Sequence, residues 1–193
     1  MDVRTWTLQD VLVFETTAHH DDRGFFVRTA ETQALRDAGI DPASFVQESQ
    51  SRSRHGVLRG LHGRTALSEG KLVRCARGTV FEVVLDLRPW SSTFLRWDSI
   101  TLDDVEHRQL WVPPGMVHGF QVLSTAADIC YRMDAAHDPS LDLAVAFDDP
   151  DLAIAWPVRD LTVSERDRTA RPLADVRPHL EGWFGANAPE AQP

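Results

Sequence analysis

The chain has 193 residues, of which 20 are basic and 29 acidic, giving a formal net charge of −9. This balance disfavours a nucleic-acid-binding protein, which needs a basic face to displace counterions from phosphates. No segment approaches the roughly 18 consecutive apolar residues of a membrane helix, and the acidic N-terminus is unlike a signal peptide. With two cysteines outside any CxxC pair, we expect a cytoplasmic protein with reduced thiols.

The predicted elements are mostly short strands between turn signals. In chain order, strands are predicted over residues 12–16, 25–29, 45–53, 72–76, 80–87, 94–102, 109–112, 119–123 and 128–133. Helices are predicted over 31–38, which is followed by Gly39 and Pro42, and over 174–180. Many short strands at regular spacing are typical of a sandwich, barrel or jelly roll, so the predicted fold is mainly β. We expect one domain over residues 1–183 and a disordered tail over 184–193.

The strand predicted over residues 45–53 is polar on both faces. Gln47, Ser49 and Ser51 share one face, while Glu48 and Gln50 share the other. Such a strand either forms a solvated sheet edge or lines a wet cavity, and this segment alone favours neither alternative.

An ordered series of motifs runs along the chain. The motifs are DRGFF (22–26), GVLRGLH (56–62), GKLVR (70–74), RQLWVPPGMVHGF (108–120), Tyr131, FDDPDLAIAWP (147–157) and SERD (164–167). In this order and spacing, the chain resembles the dTDP-4-dehydrorhamnose 3,5-epimerase family of the cupin superfamily over roughly residues 10–175. GVLRGLH followed by PPGMVHGF is the most specific part of the resemblance. It implies a cupin-type jelly roll that works as a homodimer without cofactor or metal.

The resemblance also implies catalytic roles. His62 resembles the base, Asp167 its orienting partner, Lys71 the group facing the substrate carbonyl, and Tyr131 the acid on the opposite face. The chemistry suits these residue types. A histidine titrates near neutrality, a carboxylate fixes its tautomer, and a cation stabilises the oxygen of an enolate. Lys71 and Tyr131 are the only lysine and the only tyrosine of the chain.

Further residues are implied to bind the substrate. Arg59 and Arg23 resemble contacts to the diphosphate, since the guanidinium fork matches phosphate oxygens. His118, Gln47 and Phe26 resemble other residues that line the pocket. Together these features predict an epimerase of a nucleotide-diphospho-4-keto-6-deoxyhexose such as dTDP-4-keto-6-deoxy-D-glucose, acting at C3, C5 or both in deoxysugar biosynthesis. The alternatives are an epimerase of one centre in a secondary-metabolite pathway and a non-catalytic sugar-nucleotide-binding cupin.

Four positions depart from the family pattern. Arg28 stands where the family usually has a glutamate that contacts the nucleotide, and Ser49 replaces an asparagine. Gly63 replaces a bulky residue, which we expect to open space beside the base, and His137 replaces a second tyrosine. These positions affect nucleotide recognition and the sugar pocket, so the nucleotide and the number of inverted centres stay open.

A metal site is not expected from the histidine spacing. Metal-binding cupins combine an HxH pair and a glutamate with a later PxGxxH segment. The chain has the second part, with Pro113, Gly115 and His118, but His62 is followed by Gly63 and Arg64, so the HxH pair is missing.

Overall fold

The computed structural model describes residues 1–185. Its strands are β1 Asp2–Thr5, β2 Leu12–Glu15, β3 Ala18–Asp21, β4 Gly24–Val27, β5 Gln47–Arg54, β6 Leu58–Arg64, β7 Lys71–Arg77, β8 Thr79–Asp86, β9 Trp97–Asp103, β10 Gln109–Val112, β11 Met116–Val122, β12 Ala126–Met133 and β13 Asp142–Ala144. The α-helices are α1 Thr32–Asp37, α2 Glu165–Arg168, α3 Leu173–Val176 and α4 Leu180–Phe184, and 3-10 turns lie at Pro42–Ser44, Pro139–Leu141 and Arg177–His179. None of the helices in this part of the chain has the length and apolar character of a membrane span.

Two antiparallel sheets build the domain. The first sheet has the order β1-β2-β10-β7-β12-β5, and the second has the order β13-β6-β11-β8-β9. The hairpin of β3 and β4 pairs with neither sheet. Because neighbours in both sheets are often far apart in sequence, strands cross repeatedly from one sheet to the other. The predicted mainly β, cupin-type jelly roll is confirmed.

The core between the two sheets follows the alternation of side chains along each strand. It is formed by residues from both sheets, among them Val13, Val73, Val84, Leu110, Val112, Phe120 and Ile129. Tyr131 is only partly buried and packs at the margin of this cluster, on the same side of β12 as Ile129. One part of the space between the sheets is therefore apolar, and the neighbouring part is lined by polar side chains.

Helices cover the outer faces of the sheets. Leu173, Val176, Leu180 and Phe184 of α3 and α4 pack against the outward residues of the second sheet, and Leu35 of α1 packs over the first. Phe184 is fully buried in α4, so the predicted start of the tail at residue 184 falls inside this helix. Residues 186–193 of that prediction lie outside the described residues.

Two strand predictions are resolved by the sheet order. β5 is an edge strand of the first sheet, and it also contributes side chains to the polar part of the interior, so both readings of residues 45–53 apply. The predicted strand over 80–87 is found as β8, but both of its faces are buried, including Glu82 and Asp86. β8 lies between β11 and β9 and is covered by the core on one face and by the outer cluster on the other.

Candidate active site

An irregularity in β6 turns two candidate residues toward the same side. Arg59 pairs with Phe120 of β11, and His62 pairs with His118. The two residues of β6 are three positions apart, whereas their partners are only two apart, so β6 contains one extra residue. Without this bulge, the alternation of side chains would send Arg59 and His62 to opposite faces.

Two facing glycines make the bulge possible. Gly60 has a φ of 141°, and a Cβ atom there would lie 2.5 Å from the Cα atom of Gly119. A Cβ atom on Gly119 would in turn lie 2.8 Å from the Cα atom of Gly60. The backbones of β6 and β11 therefore approach more closely than any other residue allows. This contact explains the glycines in the motifs RGLH and VHGF.

His62 forms a dyad with Asp167. The Nε2 atom of His62 lies 2.6 Å from the Oδ1 atom of the buried Asp167. Ser164 caps α2, and its Oγ atom accepts a hydrogen bond from the amide of Asp167, which fixes the carboxylate at the start of the helix. Burial raises the pKa of Asp167, but hydrogen bonds from His62, Ser164 and the amide of Gly60 bring it below its ordinary value. A proton on Nε2 is thus held by a charged acceptor, which leaves Nδ1 as the basic nitrogen.

The first sheet contributes Lys71 and Tyr131 to the same interior. Lys71 lies at the start of β7, on the side of the strand that carries the core residue Val73. The hydroxyl of Tyr131 lies 3.4 Å from the Oγ atom of Ser51 on β5. Burial raises the pKa of Tyr131 above its ordinary value. Tyr131 therefore keeps its proton over the physiological pH range, as a proton donor must.

A second histidine–carboxylate pair lies between these groups. The Nδ1 atom of His118 is 2.6 Å from the Oε1 atom of Glu82, and both side chains are buried. Burial raises the pKa of Glu82 despite the nearby ammonium of Lys71, and burial together with the charges of Lys71 and His62 lowers the pKa of His118. Both shifts favour a neutral pair, in which the carboxylic acid of Glu82 donates to Nδ1. The ring of His118 packs edge-on to that of Tyr131, with the centroids 6.1 Å apart.

An open cavity lies beside the dyad. Its volume is about 500 Å³, and its lining comes from β6 and from the segment before and within α2: Val57, Leu58, Arg59, His62, Thr162, Val163, Ser164, Arg166 and Asp167. The Nε atom of Arg59 donates to the Oγ atom of Ser53, 3.0 Å away. A larger cavity of about 630 Å³ between β1 and α1 contains none of the predicted catalytic residues.

Three predicted substrate-binding residues lie elsewhere. Arg23 is on the turn of the β3–β4 hairpin and pairs with Asp21. Phe26 and Arg28 line a different cavity, and Arg28 pairs with Glu31 at 2.9 Å. Within one copy of the chain, the structure therefore does not bring these residues to the cavity beside His62.

The remaining predicted residues lie toward the β5 edge. Gln47 and Ser49 are on the same side of β5 as Ser51, and Ser49 pairs with Tyr131. The Oε1 atom of Gln47 accepts a hydrogen bond from the amide of His137, whose own side chain is exposed. These residues therefore lie beside the proposed acid, and Gln47 anchors the loop that follows β12.

The expectation for Gly63 is wrong. A Cβ atom at this position would lie 2.5 Å from the carbonyl oxygen of Met116 and 2.8 Å from a methyl group of Val117. Gly63 therefore faces the outer cluster behind the second sheet, on the opposite side from His62. Its small size permits close strand packing and opens no space beside the base.

Several buried polar residues near these groups are not predicted from the sequence. Glu82 lies in the apolar run VFEVVL, where this single acid is the only signal that the strand faces a polar interior. Arg64 and Glu69 form a buried ion pair next to Lys71. Their five-residue separation spans a loop, so no strand or helix periodicity connects them.

The assembled groups can move a proton beside a carbonyl. The second sheet supplies a histidine base, α2 supplies its carboxylate partner, and the first sheet supplies a cation and a protonated phenol. Within residues 1–185, no group of three His, Cys, Asp or Glu side chains is arranged to hold a metal ion. The arrangement suits abstraction of a carbon-bound proton, stabilisation of an enolate and return of a proton.

Known proteins share this sequence and fold. The sequence model of the dTDP-4-dehydrorhamnose 3,5-epimerase family matches residues 5–175. The enzyme of that name from Pseudomonas aeruginosa is 42% identical over 170 residues, covering 88% of this chain and 94% of the relative. Among solved structures, NovW, a 4-keto-6-deoxy sugar epimerase from the novobiocin gene cluster of Streptomyces spheroides, has a TM-score of 0.89 and 34% identity, covering 95% of this chain and 92% of its own.

A further solved structure contains a sugar nucleotide. RmlC from Legionella pneumophila, a dTDP-6-deoxy-D-glucose-3,5-epimerase in complex with dTDP-4-keto-L-rhamnose, has a TM-score of 0.87 and 35% identity, covering 93% of this chain and 96% of its own. The family match spans most of the chain, including both members of the dyad, Lys71 and Tyr131. The chain therefore belongs to the dTDP-4-dehydrorhamnose 3,5-epimerase family and is an epimerase.

Proposed function

We propose that this epimerase inverts C3 and C5 of dTDP-4-keto-6-deoxy-D-glucose in deoxysugar biosynthesis. The single observation that carries the proposal is the dyad of His62 and Asp167, joined at 2.6 Å beside an open cavity. The relatives support the substrate, because the Pseudomonas enzyme is a dTDP-4-dehydrorhamnose 3,5-epimerase. The complex of the Legionella enzyme with dTDP-4-keto-L-rhamnose supports it as well.

The proposed reaction begins with proton removal. Nδ1 of His62 takes the proton from the carbon next to the C4 ketone, and the carboxylate of Asp167 stabilises the imidazolium that forms. The electron pair of the broken C–H bond forms a double bond to C4, and the π pair of the carbonyl moves to the ketone oxygen, where the ammonium of Lys71 stabilises the enolate. Tyr131 then returns a proton to the same carbon from the other face, which inverts the centre. His62 then releases its proton to water and Tyr131 regains one from water, and the second centre follows by the same steps once the sugar presents its other acidic carbon.

Arg59 is proposed to hold the diphosphate. It lies three residues before the base and on the same side of β6, because of the bulge. Its guanidinium donates to Ser53 through Nε, which orients the fork while other N–H groups stay available for phosphate oxygens. The diphosphate would thereby fix the distance between the nucleotide and the reacting carbon.

A second copy of the chain is proposed to complete the site. Phe25 and Phe26 at the β3–β4 hairpin are 54% and 63% exposed, and Arg23 extends from the same turn. Exposed neighbouring aromatic residues are typical of a surface that a partner covers. We propose a homodimer in which the hairpin of one copy brings Arg23 and Phe26 to the cavity of the other.

The free, buried thiols of Cys75 and Cys130 support the cytoplasm as the compartment.

Proton NMR in D₂O tests the function. The protein is incubated with dTDP-4-keto-6-deoxyglucose, and the signals of the C3 and C5 protons are followed. We expect both signals to disappear with wild-type protein and neither with a folded His62→Ala variant. Loss at one carbon would revise the proposal to an epimerase of one centre. No exchange with this sugar nucleotide or with those of other nucleotides would support a sugar-nucleotide-binding protein. Exchange of the C3 or C5 proton by His62→Ala would refute the assignment of the base.

Mixing two inactive variants tests the dimer. His62→Ala lacks the base, and Arg23→Ala lacks the proposed contact from the hairpin. If one copy completes the site of the other, unfolding and refolding a mixture restores activity in the mixed dimers, because one of their two sites is intact. A mixture that stays inactive although mixed dimers form would contradict the exchange of hairpins.

A further inference from the structure

The only lysine of the chain is held by a buried carboxylate. The Nζ atom of Lys71 lies 3.1 Å from the Oε1 atom of Glu69, and the side chains are 14% and 5% exposed. The other oxygen of Glu69 accepts a hydrogen bond from the Nη2 atom of Arg64 at 2.7 Å, and the side chain of Arg64 is 6% exposed. A single carboxylate thus bridges two buried cations.

Arg64 is itself fixed from the other side. It ends β6 and pairs with Asp142 of β13. Its Nη1 atom donates to the carbonyl oxygen of Asp138 and lies 3.5 Å from the carboxylate of Asp142. The guanidinium therefore connects the end of β6, the loop before β7 and the segment before β13. Glu69 is attached to this framework and holds the Lys71 ammonium at a fixed place.

The carboxylate of Glu69 fixes the position of the Lys71 ammonium and partly offsets its positive charge. A carboxylate that paired with the lysine alone would offset most of the positive charge needed at an enolate oxygen. Arg64 shares the negative charge of Glu69, so Lys71 is oriented by a hydrogen bond while its positive charge is only partly offset. Burial raises the pKa of Glu69, but the hydrogen bond from Arg64 and the charge of Lys71 bring it below its ordinary value, so the carboxylate is ionised.

We propose that Glu69, braced by Arg64, is a positioning residue that aims the Lys71 ammonium at the ketone oxygen of the substrate. The inference rests on the proposed function, since it takes Lys71 as the group that stabilises the enolate. The side chains of Glu69 and Arg64 are almost fully buried, and the Oε1 atom of Glu69 contacts the ammonium of Lys71. Their effect on the reaction would therefore pass through Lys71.

Glu69→Gln is the variant that tests the proposal. The amide keeps the shape of the side chain but removes its charge, so Arg64 and Lys71 repel each other without the carboxylate that bridged them. We expect kcat to fall about tenfold, as for a loss of roughly 1.4 kcal/mol in the transition state, while KM changes less than about twofold. Proton exchange at C3 and C5 should fall together with kcat.

The double variant Arg64→Gln/Glu69→Gln gives the rescue test. The double variant keeps an amide oxygen at position 69 that accepts a hydrogen bond from Lys71. It no longer contains the guanidinium of Arg64, which would repel the ammonium. We expect kcat to recover to within about threefold of the wild-type value. A double variant as slow as Glu69→Gln would overturn the role of Arg64, and a Glu69→Gln enzyme with wild-type kcat would overturn the proposal.

A matched control separates positioning from stability. Asp86 is another buried carboxylate paired with a buried arginine, Arg88, outside the cavity. Asp86→Asn should lower the thermal midpoint of unfolding but leave kcat per folded molecule unchanged. If Glu69→Gln behaves in the same way, its role is structural and the proposal fails.

An independent readout uses the single lysine. In protein labelled with nitrogen-15 lysine, the side-chain ammonium signal belongs to Lys71 alone. Its exchange with water is slow when the ammonium is buried and hydrogen-bonded. We expect a sharp signal in the wild-type protein, a broadened one in Glu69→Gln and recovery in the double variant. An unchanged signal in Glu69→Gln would refute the positioning role, whatever the substrate is. If the lysine signal changes as expected but no substrate proton exchanges, the proposed function is refuted and the positioning of Lys71 is not.

Discussion

Replacing Asp167 with asparagine tests the dyad most directly. The carboxylate makes one short contact to His62, 2.6 Å from Nε2, and it is almost fully buried. Asparagine has nearly the same volume and still offers a carbonyl oxygen to Nε2, so the fold and the orientation of the ring are largely retained. What disappears is the negative charge beside an imidazolium that exists only after the proton has been abstracted.

The size of the effect follows from the contact with His62. A hydrogen bond to a charged partner contributes about 1.5–3 kcal/mol, and each 1.36 kcal/mol changes a rate about tenfold. We therefore expect kcat to fall about 10- to 150-fold in Asp167→Asn. KM should change little, because the stabilised charge is absent from the bound ground state.

Steady-state epimerisation and solvent exchange at C3 and C5 measure the effect. Asp175→Asn is the control, since Asp175 is an exposed acid on α3 outside the cavity. A folded Asp167→Asn enzyme with kcat within about twofold of the wild-type value would refute the argument. So would a loss confined to KM, because it would assign Asp167 to substrate binding.

Three further predictions concern the interior. Tyr131→Phe should slow turnover more than loss of the substrate proton to D₂O, because only reprotonation needs the phenol; exchange that falls in step with turnover would argue against this role. Burial raises the pKa of Glu82 above 4.5, so as the pH rises above 4.5 the unfolded state releases a proton that the folded state keeps at Glu82. Compared with Glu82→Gln, the free energy of unfolding of the wild-type protein in urea should therefore fall by up to about 1.4 kcal/mol per pH unit from pH 4.5 to the folded-state pKa of Glu82; identical slopes would contradict it. Gly60→Ala should cost about 2 kcal/mol or more, because its Cβ atom meets Gly119 at 2.5 Å and φ is 141°, whereas Gly182→Ala, with open space around it, should not destabilise the protein.

The sequence predicts the strands best where alternation and turns coincide. Residues 109–112 form β10 with the predicted bounds, and 31–38 contain α1. Four strands, β1, β3, β6 and β13, are not predicted, and in β6 the bulge at Gly60 interrupts the alternation of side chains. β1 and β3 are short and exposed, with too little apolar alternation, and β13 has three residues that form a strand because β6 pairs with them. Such edge strands depend on the neighbouring strand and leave little signal of their own.

The candidate site is predicted through resemblance rather than periodicity. His62 and Asp167 are 105 positions apart, and no local pattern connects them. His62 and Asp167 line the cavity, Lys71 and Tyr131 lie on the core side of the first sheet, and the catalytic roles of all four stay predictions. The pair of His118 and Glu82 could not be predicted, because it depends on the register between β11 and β8. The placement of Arg23 and Phe26 against a second copy also stays a prediction.

The bulge in β6 makes the site depend on the number of residues as well as on their identity. If one residue between Arg59 and His62 were lost, the strand would regain regular alternation. Either the arginine or the histidine would then face the wrong side, even though every functional side chain was still encoded. Point substitutions around the cavity can accumulate one at a time in evolution, whereas a length change within RGLH removes the diphosphate contact or the base in a single event. The spacing within this segment should therefore tolerate less variation than the loops on either side.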